Sequence, residues 1–269
     1  MNNAELEKIA YEAGFCRVLF IPAPDFAPHD DEPHIVWNTA EYPWAAVSCL
    51  LVWRYSPYPE GCRIPAYYIA SNASYHASVA LAKRLESEGV RLKRCEVPIK
   101  ALCAKYRFGT LCRNSLVALP GLGTRVVFQA LLLESSPENP FKAEEHFEQD
   151  DGLCASCGAC AAACPAHAIG DSLDVKKCMR YYMDGADYPD WVYRIQRTHM
   201  GCEVCQAVCP RNAHVLPVEP PEDIAGAFEL GRLASGDAKQ ARLLVGKNFT
   251  GHGKLSREAV NFLQRDGKK

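Results

Sequence analysis

The stretch Cys154-Ala-Ser-Cys157-Gly-Ala-Cys160-Ala-Ala-Ala-Cys164-Pro165 decides the reading of this chain. Its spacing, C-x2-C-x2-C-x3-C-P, is that of the bacterial ferredoxins. Two intervening residues let the backbone step from corner to corner of an iron–sulfur cube, so three thiolates meet three irons. The fourth cysteine precedes proline, which pushes its backbone out of the helical region. Its sulfur is thereby turned towards a neighbouring cluster. A second run follows, Cys202-Glu-Val-Cys205-Gln-Ala-Val-Cys209-Pro210, and Cys178 stands alone between the two. Pro165 and Pro210 also suit the first position of a following helix, where a missing N–H costs nothing.

These eight cysteines are the number that two four-iron clusters require. The spacing assigns Cys154, Cys157, Cys160 and Cys209 to one cluster, and Cys164, Cys178, Cys202 and Cys205 to the other. The second run lacks a leading cysteine. By analogy with the first, that place falls on His199, which reads as an ordinary surface or outer-sphere histidine, and Cys178 is the replacement ligand. Zinc ribbons and disulfides are the competing readings. Zinc favours two separated C-x2-C pairs, whereas these runs are continuous and end in Cys-Pro.

The composition agrees with an intracellular metalloprotein. Fourteen cysteines behind a polar first segment, Met1-Asn-Asn-Ala-Glu-Leu-Glu, predict no export signal, a reducing cytoplasmic compartment, and metal in place of disulfides. No run approaches the ~20 apolar residues of a membrane helix. A net charge of −2 gives no global pull towards nucleic acid. Locally, however, Lys83 to Arg113 holds nine Lys or Arg against three Glu. Such an excess can hold a phosphate-bearing ligand, or can be a solvated helix face with ordinary ion pairs.

Outward from the cysteine runs, the pattern predicts an α+β chain. A helix is expected over Asn3 to Ala13, stopped by Gly14. Strands are expected over Phe15 to Ile21 and over the buried run Trp44 to Trp53. Residues 22–34, with four prolines, read as a loop, and Ser56 to Gly61 as a turn. A long helix fits Ala66 to Glu88, with Tyr68, Tyr75, Val79 and Ala82 on a core-like stripe, and another fits Pro98 to Tyr106. Ser115 to Leu119 and Arg125 to Glu134 read as a hairpin joined through Pro120-Gly-Leu-Gly123. The expected domains are 1–134 (α/β), 150–216 (ferredoxin-like) and a short helical tail over 222–269. Neither Gly121-Leu-Gly123 nor Gly246 to Lys254 has the context or spacing of a nucleotide-binding loop.

The order of these parts resembles the epoxyqueuosine reductase family. Local matches are Ser74-Tyr75-His76, Phe108-Gly109-Thr-Leu-Cys112-Arg113-Asn114-Ser115-Leu116, and Leu122-Gly123-Thr124-Arg-Val-Val-Phe128. The resemblance implies a cobalamin held by the N-terminal α/β domain, with Tyr75, His76, Arg107, Arg113 and Asn114 near it. It also implies an external low-potential donor of ferredoxin or flavodoxin type, and a tRNA substrate. The chain departs from the family in three places. Cys95, beside Glu96, stands three residues before Pro98 where the family has an aspartate, so the catalytic acid lies between Glu96 and Cys95. The family's Gly-Lys-Asn triplet is Cys112-Arg113-Asn114. A short tail stands where the family carries helical repeats. These departures keep open an electron-transfer protein without substrate chemistry of its own. Cys95, like Cys16, Cys49, Cys62, Cys103 and Cys112, can equally be a small buried residue.

Overall fold

In the computed structural model, residues 1–23, 41–147, 152–183, 188–246, 251 and 253–267 are described. Most of the proline-rich segment 22–34, and part of 246–254, lie outside them. The chain divides into two compact units. One comprises Met1–Arg54 and Ala73–Leu153, and the other Tyr55–Asn72 and Cys154–Lys269.

The first unit is built on an antiparallel sheet of strands β1 (Arg17–Pro22), β2 (Ala45–Arg54), β3 (Leu92–Cys95) and β6 (Val126–Glu134), in the order β1-β2-β6-β3. Both faces are covered, which explains why the strands read as continuous apolar runs. Helices α1 (Asn3–Glu12) and α2 (Ala66–Ser87) share a core with Phe20, Cys49, Leu51, Leu131 and Leu133 through Leu6, Ile9, Leu81 and Leu85. On the opposite face, Ile21, Leu50, Val52 and Ala130 pack with Leu102 of α3 (Ile99–Tyr106) and with Phe108, Val117 and Leu119. Helix α1 starts with a capping box, in which Asn2 and Glu5 satisfy each other's backbone N–H. It stops at Gly14, whose φ of +97° suits glycine.

The expected hairpin is not the one formed. Val117–Ala118 (β5) pairs with Thr110–Leu111 (β4), and β6 pairs with β2 and β3. Pro120 to Gly123 closes only a local bridge between Leu119 and Gly123. The apolar runs identified strands but could not fix the partner of β6, because β3 lies in a basic stretch with little apolar signal. The core stripe of α2 is met in part, with Tyr68 and Ala82 buried and Val79 half-buried. Tyr75 is 44% exposed, while Ser74, Ser78, Leu81 and Leu85 are buried. The hydroxyls are accommodated because the Gln129 amide donates to Ser74 Oγ (3.1 Å) and its carbonyl accepts from Ser78 Oγ (3.4 Å). Of the non-motif cysteines, Cys49, Cys103 and Cys112 are buried as expected, but Cys16 is exposed and Cys62 only half-buried.

The second unit holds the cysteine runs and a set of helices that follow them, α9 (Glu222–Ala227), α10 (Leu230–Ala234), α11 (Lys239–Val245) and α12 (Lys254–Asp266). These last helices form one core with Ile64, Tyr68 and Met200, through Phe228, Leu233, Val245, Leu255 and Ala259. The tail is thus an integral layer of its unit.

Candidate metal centre

The first cysteine run forms two short helices, α4 (Leu153–Ser156) and α5 (Ala159–Ala163), separated by Gly158 at φ +118°. The second run forms α8 (Val204–Ala207), which packs against α5. Between them come α6 (Met179–Tyr182) and α7 (Asp190–Ile195). Cys164 and Cys209, each before proline, are extended, with φ/ψ of −66/113° and −73/123°. Cys178 has no proline after it, yet takes the same conformation at −70/124°. Pro210 opens a short 3-10 turn over Pro210–Asn212, the place its ring favours.

The thiols fall into two neighbourhoods. Cys160 feels the charges of Cys154 and Cys209, and Cys202 feels those of Cys178 and Cys164. Cys209 thus lies near Cys154 and Cys160 of the first run, and Cys164 near Cys178 and Cys202. Burial pushes up the thiols of Cys160 and Cys178, and that of Cys202 to about 11, with neighbouring thiols adding to the effect. Among the described residues no three His, Cys, Asp or Glu converge closely enough for a single ion. Eight thiols, ending each run in Cys-Pro, are the donor type and number that two four-iron clusters take. An N–H···S contact from Ala168 to Cys164 (3.3 Å) supplies the kind of outer-sphere donor that tunes cluster potentials.

Several side chains fix the second run. Tyr55 Oη donates to Gln206 Oε1 (3.0 Å), and Asn212 Nδ2 donates to the Gln206 carbonyl (2.8 Å). Glu203 accepts from the Tyr67 N–H (3.2 Å) at the start of α2. His199 is not a surface group. It is fully buried, its ring packs on Phe228 and Phe262, and burial, then the charge of Arg63, lowers its pKa to about 4. Three aromatic or charged neighbours drawn from distant parts of the sequence made that burial invisible to spacing alone.

In the first unit, Tyr75 and His76 are exposed on α2, with their rings edge to face at 5.4 Å. Arg94 stacks on Tyr75 at 4.3 Å, a partner that the sequence counted among the basic residues without assigning it. Arg91, just before the edge strand β3, stacks on Trp44 (4.6 Å) and pairs with Glu134 (3.1 Å), and Lys93 lies over Tyr42 (5.9 Å); Arg94, the next residue of the strand, is on the opposite face. Arg107 occupies the left-handed cap of α3 (φ +56°). Arg113 and Asn114 belong to the tight β4–β5 turn, where Asn114 Oδ1 accepts from the Leu116 N–H (3.3 Å). Cys95 is paired into the sheet opposite Ala130, and burial pushes its thiol up to about 12, so it carries its proton at neutral pH. Glu96 next to it is exposed.

Residues 153–212 are a 4Fe-4S double cluster binding domain, by their match to that family. The chain therefore has the site of two [4Fe-4S] clusters. It is also similar to epoxyqueuosine reductases. The enzyme of Staphylococcus aureus is 33% identical over 120 residues, which are 42% of this chain and 29% of that protein. The crystal structure of a selenomethionine-labelled epoxyqueuosine reductase matches with a TM-score of 0.74 at 20% identity, over 97% of this chain and 80% of the other. The structure of an epoxyqueuosine reductase with an epoxyqueuosine-modified tRNA-Tyr stem loop matches with a TM-score of 0.72, again at 20% identity, over the same shares of the two chains. The sequence match thus spans about a third of its curated relative, while the structural matches establish a common fold. Among the described residues no helix is long and apolar enough to cross a membrane.

Proposed function

We propose that the chain is an iron–sulfur oxidoreductase that passes electrons through its two clusters to a cobalamin held by the first unit, for the reduction of a substrate. The observation that carries this reading is the pair of thiol neighbourhoods, each assembled from both cysteine runs. Two cubes held by one interleaved segment are close neighbours, which is what stepwise electron transfer needs. Cys154, Cys157, Cys160 and Cys209 would hold one cluster, and Cys164, Cys178, Cys202 and Cys205 the other. When bound, cobalamin would supply a strongly nucleophilic reduced cobalt; the protein's task is to align and insulate it.

The residues of the first unit fit such a ligand. Exposed Tyr75 and His76 offer an aromatic and an imidazole face. Arg107 and Arg113 offer polar contacts for the cofactor's side chains and phosphate, while Asn114, buried and bound to the Leu116 N–H, would shape the turn that presents Arg113. Arg94 stacked on the exposed Tyr75 suits a phosphate-bearing substrate such as tRNA. Glu96 or Cys95 would hold the proton that reduction consumes.

One observation favours a second reading, an electron-transfer protein that reduces a partner or its corrinoid. Cys95 stands three residues before Pro98, where the resemblance implies an aspartate, and its thiol, pushed up to about 12 by burial, releases a proton far less readily than a carboxylic acid. Anoxic titration with cobalamin, followed by turnover of an epoxyqueuosine-containing anticodon stem loop with a chemical reductant, tests both. Stoichiometric binding with turnover supports the reductase. Binding without turnover leaves the electron carrier, and absence of binding removes cobalamin from the account.

A further inference from the structure

The last helix, α12, carries a second face besides the one in the core. Leu255, Ala259 and Phe262 are buried apolar residues. Lys254, Glu258, Asn261 and Arg265, spaced i, i+4, i+7 and i+11, line up along another side. All four bind the segment between Cys178 and Cys202. Lys254 Nζ donates to the Met183 carbonyl. Glu258 Oε1 accepts from Tyr188 Oη at 2.5 Å. Asn261 Nδ2 donates to the Tyr193 carbonyl (3.2 Å). Arg265 donates to the carbonyls of Tyr193 (3.1 Å) and Gln196 (2.7 Å).

The placement of these donors is specific. Met183 is the C-cap of α6, and Gln196 is the C-cap of α7. Two cations of α12 thus meet the carbonyl ends of two helices, where unpaired acceptors and the negative dipole end favour positive charge. Helices α6 and α7 have only four and six residues, too short to persist unaided. The first residue before α6 is Cys178, its N-cap. Met179, Met183, Tyr188 and Val192 form a small core against which Cys202 packs. Lys254 is 3% exposed and Glu258 fully buried, a costly arrangement that apolar side chains would avoid.

We propose that α12 is the clasp of the second cluster: Lys254, Glu258, Asn261 and Arg265 are positioning residues that hold Cys178 at the distance from Cys202 that a shared cube requires. The inference rests on the assignment of Cys164, Cys178, Cys202 and Cys205 to one cluster. Cys178 is the one ligand outside the two runs, so its place depends on packing from elsewhere in the unit. Spacing could not reveal this, because a Lys–Glu pair at i, i+4 reads as an exposed helix face.

The test uses the full chain, purified without oxygen. Lys254→Met and Arg265→Ala are made singly and together, with Lys254→Arg and Arg265→Lys as conservative partners. Iron and acid-labile sulfide are counted, the reduced clusters are examined by EPR, and each cysteine's protection from alkylation is mapped by mass spectrometry. The double variant is expected to keep half the iron and sulfide, with Cys178, Cys164, Cys202 and Cys205 open to alkylation and Cys154, Cys157, Cys160 and Cys209 protected. The conservative variants are expected to restore the second EPR signal. Full iron content with Cys178 still protected overturns the proposal. So does joint loss of both clusters, which would make α12 a support of the whole unit. Wild-type protein without iron and sulfide would instead refute the cluster assignment beneath it.

Discussion

Acidification should loosen the second unit through His199. Its imidazole is fully buried against Phe228 and Phe262, with a pKa near 4 in place of the ordinary 6.5. Between those two values the unfolded chain binds the proton and the folded chain does not. Stability from this group is therefore complete above pH 6.5 and is lost progressively as the pH falls towards 4. A separation of some 2.5 units corresponds to about 3 kcal/mol, or ~1.5 M in a urea midpoint for a unit of ordinary cooperativity. Glu258 in the same unit acts in the opposite sense. Burial raises its pKa to about 8, so its contribution is full below the ordinary carboxylate range and fades as the pH rises through about 8. The experiment is thus a difference measurement: anoxic urea unfolding of wild type and His199→Leu, followed by circular dichroism between pH 4.5 and 7. The gap between the two proteins should shift in favour of the variant as the pH falls, by up to the stated amount. A gap that stays constant across the range would show that His199 does not hold its neutral form by burial, and the argument would fail.

Other outcomes follow from single contacts. Gly201 has φ +74°, and a Cβ there would stand 3.0 Å from the Tyr68 ring, so Gly201→Ala should cost roughly 1–3 kcal/mol, read as a lower melting temperature. Gln129→Leu removes the amide that donates to buried Ser74, while Ser78 keeps its 2.8 Å bond to the Tyr75 carbonyl, and should destabilise the first unit by about 1 kcal/mol in chemical denaturation, whereas an unchanged midpoint would mean that Ser74 does not depend on the amide. On the proposed reading, Arg94→Ala, which removes a Tyr75 contact worth only about 0.5–1 kcal/mol, should reduce the affinity for an anticodon stem loop, measured by fluorescence anisotropy at fixed salt.

Much of this architecture is legible in the sequence because local spacing encodes it. The run from Cys154 to Cys164 carries its own geometry, and the proline after Cys164 or Cys209 fixes the extended conformation observed there. The burial of the strand within Trp44 to Trp53 was equally plain, although its two faces, with Leu50 and Val52 in one core and Cys49 and Leu51 in the other, show only in the structure. What escaped the sequence depends on distant partners. The register of β6 with the basic strand β3, the burial of His199 between two phenylalanines, and the stacking of Arg94 on Tyr75 are each set by residues far away in the chain. Cys178 lies between these cases, since its role could be counted by elimination while its extended backbone, formed without a proline, had no local signal.

The account stands most directly on the metal content of each cysteine neighbourhood. Iron and acid-labile sulfide should be determined on anoxic protein, for wild type and for Cys209→Ala. Wild type should carry about eight of each per chain, as two four-iron cubes require. Loss of Cys209 should disturb the cluster of Cys154, Cys157 and Cys160 and spare the one held by Cys164, Cys178, Cys202 and Cys205. Zinc in place of iron, or damage from Cys209→Ala confined to the cluster of Cys202 and Cys205, would contradict the interleaved arrangement.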